Sequence, residues 1–150
     1  MIHRIRILLV EDNEGDILLA TEALTDAKIA NDVIVQRDGE AAITYLKDIV
    51  RSDRSQLPDL ILLDVNLPRV NGHEVLARIK SDETLRRIPV IMLTTSSSHR
   101  DIERAYQEHA NCYIVKPVEI QDFINVVSSI EEFWFTIVRL PTENKATDVD

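Results

Sequence analysis

The chain has 150 residues, with 17 Lys plus Arg against 26 Asp plus Glu for a formal net charge of −9, and it is 45% hydrophobic and 29% charged. That composition fits one globular domain with a real core. The charge opposes phosphate-driven nucleic-acid binding and contact with an anionic membrane, and no apolar run exceeds four residues, as at Ile7–Val10, Leu60–Leu63 and Val90–Leu93, far short of the ~20 residues of a membrane span.

In chain order, Arg4–Val10 predicts a short strand, apolar nearly throughout and stopped by Glu11-Asp12, as expected when both faces are covered. Apolar spacing turns helical over Asp16–Lys28, through Ile17, Ala20, Leu24 and Ala27. Val33–Gln36 reads as a second strand closed by Asp38-Gly39, and Glu40–Val50 as a second helix with Ala42, Ile43, Leu46, Ile49 and Val50 on one stripe. Arg51–Gln56, ending at Pro58, reads as a loop. Leu60–Leu63 predicts the third strand, ended by Asp64, with turn chemistry at Asn66-Leu67-Pro68 and Asn71-Gly72. His73–Lys80 predicts the third helix, and Pro89 introduces a fourth strand over Val90–Leu93. The polar stretch Thr94–Ser98 leads into a fourth helix through about His109. Cys112–Val115 is the fifth strand, stopped by Lys116-Pro117, and Glu119–Arg139 is a long last helix before a polar, fraying tail. Five successive β–α units argue for one doubly wound α/β domain: a parallel five-stranded sheet with helices on both faces.

Several chemistries lack their parts. Cys112 stands alone, which excludes an internal disulfide or a Cys-based zinc site. Gly15, Gly39 and Gly72 spell neither a dinucleotide nor a P-loop motif. His3, His73, His99 and His109 are scattered without metal spacing. No signal-peptide h-region opens the chain, so a cytoplasmic location is expected.

Polar residues stand where the apolar runs stop: Glu11 and Asp12 after strand one, Asp64 after strand three, Thr94 after strand four and Lys116 after strand five. All are at carboxyl ends, where open α/β sheets bind ligands, so residues distant in sequence should converge on one crevice. Singly, each fits a cap or a turn; one suitable residue at each of four strand ends is a functional pattern. Two carboxylates ~4 Å apart repel by about 4 kcal/mol at an effective dielectric of ~20. A hard cation relieves that, and Mg²⁺ suits a site with one or two carboxylates, several waters and a phosphate oxygen. Lys116 adds a point charge for a phosphoryl oxygen, and an aspartate can attack phosphorus to give an aspartyl phosphate.

The residues that carry this pattern resemble the receiver domain of two-component response regulators. The matches are Ile7-Leu-Leu-Val-Glu-Asp-Asn13, Leu62-Leu-Asp-Val-Asn-Leu-Pro68 with Gly72, Pro89-Val-Ile-Met-Leu-Thr94 and Tyr113-Ile-Val-Lys-Pro117. The resemblance implies the flavodoxin-like strand order 2-1-3-4-5 and phosphorylation of Asp64 from a histidine of a sensor kinase. It implies Mg²⁺ held by Asp12 and Asp64 directly, by Glu11 through water and by the backbone carbonyl of Asn66. It implies that Thr94 and Lys116 contact the phosphoryl group, with Tyr113 as the aromatic that rotates on switching, and that the Lys116–Pro117 bond is of the kind usually cis in the family. Glu11 stands where many members have Asp, and Thr95 where a small residue is frequent.

On this reading residues 1–140 form the receiver and 141–150 a flexible tail. Residues 131–150 are too few for a DNA-binding domain, so output is expected through protein contacts. Phe123, Val127, Ile130, Trp134 and Ile137 make a helical stripe, with Phe133, Phe135 and Val138 off it. The end of this extended helix is therefore apolar nearly all round, and a two-fold homodimer through Phe123, Ile130, Phe133, Trp134 and Ile137 is expected. The Phe133-Trp134 helix ending in Leu140-Pro141, with the long loop after Val50, also resembles the small receiver-only regulators paired with bacterial phytochromes. Two alternatives stand beside this. One is a Mg²⁺-dependent phosphatase with a nucleophilic Asp, which would want a second acid where the chain has Asn66. The other is a receiver that only drains phosphate from a kinase.

Overall fold

The computed structural model describes residues 4–25, 30–94 and 112–115, together with residues 103, 107 and 109. Its strands are β1 (Ile5–Val10), β2 (Asn31–Gln36), β3 (Leu60–Asp64), β4 (Val90–Thr94) and β5 (Cys112–Val115). Its described helices are α1 (Glu14–Thr25), α2 (Gly39–Ser52) and α3 (Gly72–Ser81), with 3-10 turns at Arg54–Gln56 and Leu85–Arg87. The strands form one parallel sheet in the order β2-β1-β3-β4-β5, which is the expected doubly wound order.

Strand alternation sorts the core onto the two faces of the sheet. Ile5, Ile7 and Leu9 of β1, Leu60 and Leu62 of β3, and Ile91 and Leu93 of β4 pack with Ala20 and Leu24 of α1. On the opposite face Leu8, Val10, Ile61, Leu63, Val90 and Met92 pack with Ala42, Ile43 and Leu46 of α2 and with Val75, Leu76 and Ile79 of α3. Both faces of β1 and β3 are thus covered, which is why their sequences are apolar nearly throughout, apart from Arg6 and the terminal Asp64.

The elements differ from expectation at their ends. The side-chain oxygen of Asn13 accepts from the Asp16 N–H at 2.9 Å, so α1 begins at Glu14 rather than Asp16; capping starts a helix before its apolar stripe does. Likewise Asp38 caps α2 through the Ala41 N–H at 2.7 Å. β2 begins at Asn31 rather than Val33, because its backbone already pairs with Ile5 there. Lys80, at the end of α3, donates from Nζ to the carbonyls of Arg86 at 3.1 Å and Ile88 at 2.9 Å, tying α3 to the segment that feeds β4. Burial pushes its ammonium below the usual lysine range. The expected fourth helix, apart from those three single residues, and the whole of the long last helix lie outside the described residues.

Candidate functional site

The site grows from the period-two rule. Glu11 extends the row Ile5, Ile7, Leu9 of β1, and Asp64 extends the row Leu60, Leu62 of β3, both on the α1 face. Val10 pairs with Leu63, so the next residues along the two chains, Glu11 and Asp64, lie side by side. Glu11 is only 2% exposed and Asp64 4%, while Asp12 is exposed. Oxygens of the three carboxylates all lie within 4.8 Å of one another.

The backbone around the acids is tied at several points. The Glu11 N–H donates to the Gln36 carbonyl at 3.0 Å, and the Asn13 N–H donates to the Glu11 carboxylate at 3.3 Å. Arg37, just beyond β2, makes an ion pair with Glu14 at the start of α1. Asp64 pairs with Leu93 inside the sheet, and the Val65 N–H continues the ladder to the Leu93 carbonyl at 3.0 Å. Asp64 is therefore the last residue of β3 rather than the first beyond it.

The chain after Asp64 turns back tightly. The Val65 carbonyl accepts from the N–H groups of Leu67 at 3.1 Å and Gly72 at 2.9 Å. Arg69 takes the left-handed conformation with φ 64. A β carbon on Gly72 would sit 2.3 Å from the Asp64 carbonyl oxygen and 2.7 Å from Val65 Cα, so only glycine admits this approach. Asn71 then caps α3, its side-chain oxygen accepting from the Glu74 N–H at 3.0 Å.

The remaining expected residues stand as follows. Asn66 is exposed, two residues past Asp64 in this turn. Thr94 ends β4, one step beyond Leu93 and paired with Val115; of its side chain nothing is described. Tyr113 lies in β5 opposite Met92, again with its backbone alone described. Lys116, the Lys116–Pro117 bond, Phe123, Ile130, Phe133, Trp134 and Ile137 lie outside the described residues. Sequence reasoning missed three features: the cap at Asn13, the contact made by Gly72 and the burial of His73, which is 3% exposed. The first had a legible signal, an Asn three residues before an Asp at a helix start. The other two depend on tertiary contacts.

Three carboxylates so close repel one another, by about 3 kcal/mol per ionised pair at ~5 Å and an effective dielectric of ~20. Their donors are hard oxygens, two of them set in a buried floor and one facing solvent. That set fits a hard divalent cation approached from outside and still carrying water.

A sequence model of the response regulator receiver domain matches residues 7–128. The chain belongs to this family. Receiver domains are in general signalling modules rather than enzymes. The chain is similar to the response regulator Rcp1 of Synechocystis, with 44% identity over 135 residues that make up 90% of this chain and 92% of the relative. It is also similar in structure to the phosphorylated cyanobacterial phytochrome response regulator RcpA, with a TM-score of 0.85 and 46% identity over 93% of this chain and 99% of that one. The Mn²⁺-bound form of Rcp1 matches with a TM-score of 0.82 and 44% identity over 91% of this chain and 98% of that one. No helix among the described residues of this receiver is long and apolar enough to cross a membrane.

Proposed function

We propose that the chain is a stand-alone response regulator, receiver over residues 1–140 and polar tail over 141–150, that takes a phosphoryl group on Asp64 from a histidine of a sensor kinase. The observation that carries the reading is the gathering of Glu11, Asp12 and Asp64 within 4.8 Å at the carboxyl edge of the sheet. A carboxylate oxygen of Asp64 attacks phosphorus, a P–O bond forms, the P–N bond to the donor imidazole breaks, and the imidazole nitrogen keeps the electron pair. Glu11, Asp12, Asp64 and the carbonyl of Asn66 are the residues that would hold Mg²⁺. When bound, that ion neutralises the phosphoryl oxygens as charge shifts between them. Thr94, the last residue of β4, and Lys116, which follows β5 in the sequence, are the residues that would donate to the phosphoryl group. Tyr113 answers the movement of Thr94, so that a local change of charge biases a two-state surface.

The similarity to Rcp1 and RcpA, which spans nearly the whole of those proteins, supports a phytochrome-type kinase as the donor, a cytoplasmic setting and output by protein contact rather than through nucleic acid or membrane. The reaction is checked by incubating the protein with labelled acetyl phosphate. Label that appears with Mg²⁺, disappears with a chelator and is released by hydroxylamine is the expected result; label indifferent to chelation overturns it. The apolar residues Phe123, Ile130, Phe133, Trp134 and Ile137 of the expected last helix support a homodimer. Sedimentation is expected to show a dimer at micromolar concentration, and a monomer both with and without phosphorylation would refute it.

A further inference from the structure

We infer that Asn13 is a positioning residue, which holds the short loop between β1 and α1 so that Asp12 is presented to the acidic cluster before any cation arrives. The inference rests on the reading of that cluster as a divalent-metal site. Asp12 is exposed, and among the described residues no hydrogen bond or ion pair fixes its carboxylate. Its place is therefore set by its two neighbours. Glu11, before it, is anchored through its N–H to Gln36 at 3.0 Å. Asn13, after it, is held three ways: its N–H donates to the Glu11 carboxylate at 3.3 Å, its side-chain oxygen accepts from the Asp16 N–H at 2.9 Å, and its carbonyl accepts from the Ile17 N–H at 2.9 Å. One residue thus fastens a buried acid of the cluster to the first turn of α1, with Asp12 as the single residue spanned.

Position 15 gives separate support. Glycine is a poor helix former, yet Gly15 is the second residue of α1. A β carbon there would come within 3.2 Å of the Asn13 side-chain oxygen, tighter than ordinary van der Waals contact. The weak helix former stands where a side chain would crowd the capping oxygen.

Mn²⁺ binding to the full chain, followed by calorimetry well below the melting temperature, tests this. Asn13→Ala removes the capping oxygen and is expected to weaken Mn²⁺ binding roughly three- to ten-fold. Asn13→Ser restores a capping oxygen and is expected to recover most of that affinity. A purely structural cap would lower the melting temperature and leave the affinity within two-fold of wild type, and that result overturns the inference. If Asn13→Ala does not fold, Gly15→Ala decides instead: weaker binding with an unchanged or higher melting temperature supports the inference, and binding within two-fold of wild type overturns it. Asp12→Asn separates the two readings. If wild type binds and Asp12→Asn does not, failure at Asn13 leaves the metal site standing; if wild type itself binds no Mn²⁺, the metal site falls and the positioning role with it.

Discussion

Asp64→Asn is expected to take no label from acetyl phosphate while keeping its fold. The change is nearly isosteric at a residue 4% exposed at the end of a paired strand, so packing is conserved. What is lost is the proposed nucleophile: a carboxamide oxygen is neutral, and its nitrogen has no free pair to give. Chemistry and stability should therefore separate. Removing one of three charges crowded within 4.8 Å relieves repulsion of about 3 kcal/mol per ionised pair at an effective dielectric of ~20. In the presence of a chelator the variant should thus be at least as resistant to urea as wild type. With Mg²⁺ present the order should reverse, because wild type gains more from the ion it binds. Labelling that persists in Asp64→Asn would move the acceptor to another residue. A large loss of stability in chelator would mean that the carboxylate serves mainly as a structural hydrogen-bond acceptor.

Gly72→Ala should destabilise the protein by about 2 kcal/mol or more, at the upper end of what overpacking by one methyl group costs. The clash is with main chain: the Asp64 carbonyl oxygen at 2.3 Å, Val65 Cα at 2.7 Å and the Asp64 carbonyl carbon at 3.0 Å. A flexible side chain could swing aside, but these atoms are held by the sheet, through Asp64 opposite Leu93 and the Val65 N–H on the Leu93 carbonyl. The strain must go into displacing α3 or the acceptor strand, so the rate of labelling should fall together with the urea midpoint. Stability within about 0.5 kcal/mol of wild type, the usual range for an exposed surface change, would show that the turn is softer than its contacts imply.

The contrast between these two positions shows what could be read in advance. Asp64 was legible because a charged residue at the end of a continuously apolar strand is a local anomaly. The central strands follow from the same kind of signal: runs covered on both faces are apolar almost throughout, and β1, β3 and β4 are found where their runs lie. Ends were less legible, because ladder hydrogen bonds do not depend on side-chain polarity. Pairing runs through Asp64 and Thr94, one residue past the apolar stretch in each case. Gly72 carried no such mark. As part of a matching motif it was noticed, but the reason for it is a contact with Asp64, eight positions earlier, that exists only once α3 has docked. His73 is similar: nothing local distinguishes it from the scattered histidines, and its burial follows from which side of α3 faces the core.

The strand order places β2 at one end of the sheet, so among the described residues one row of its amide and carbonyl groups has no neighbouring strand. Such a margin invites a further chain to zip on. Here Asp32 lies near its start, exposed and bound by the Arg4 side chain at 2.9 Å. An incoming strand would have to strip water from a charged couple before gaining its first ladder bond. A charged couple at such a margin is of the kind that disfavours unwanted polymerisation, and it lies at the opposite end of the strands from the acidic cluster.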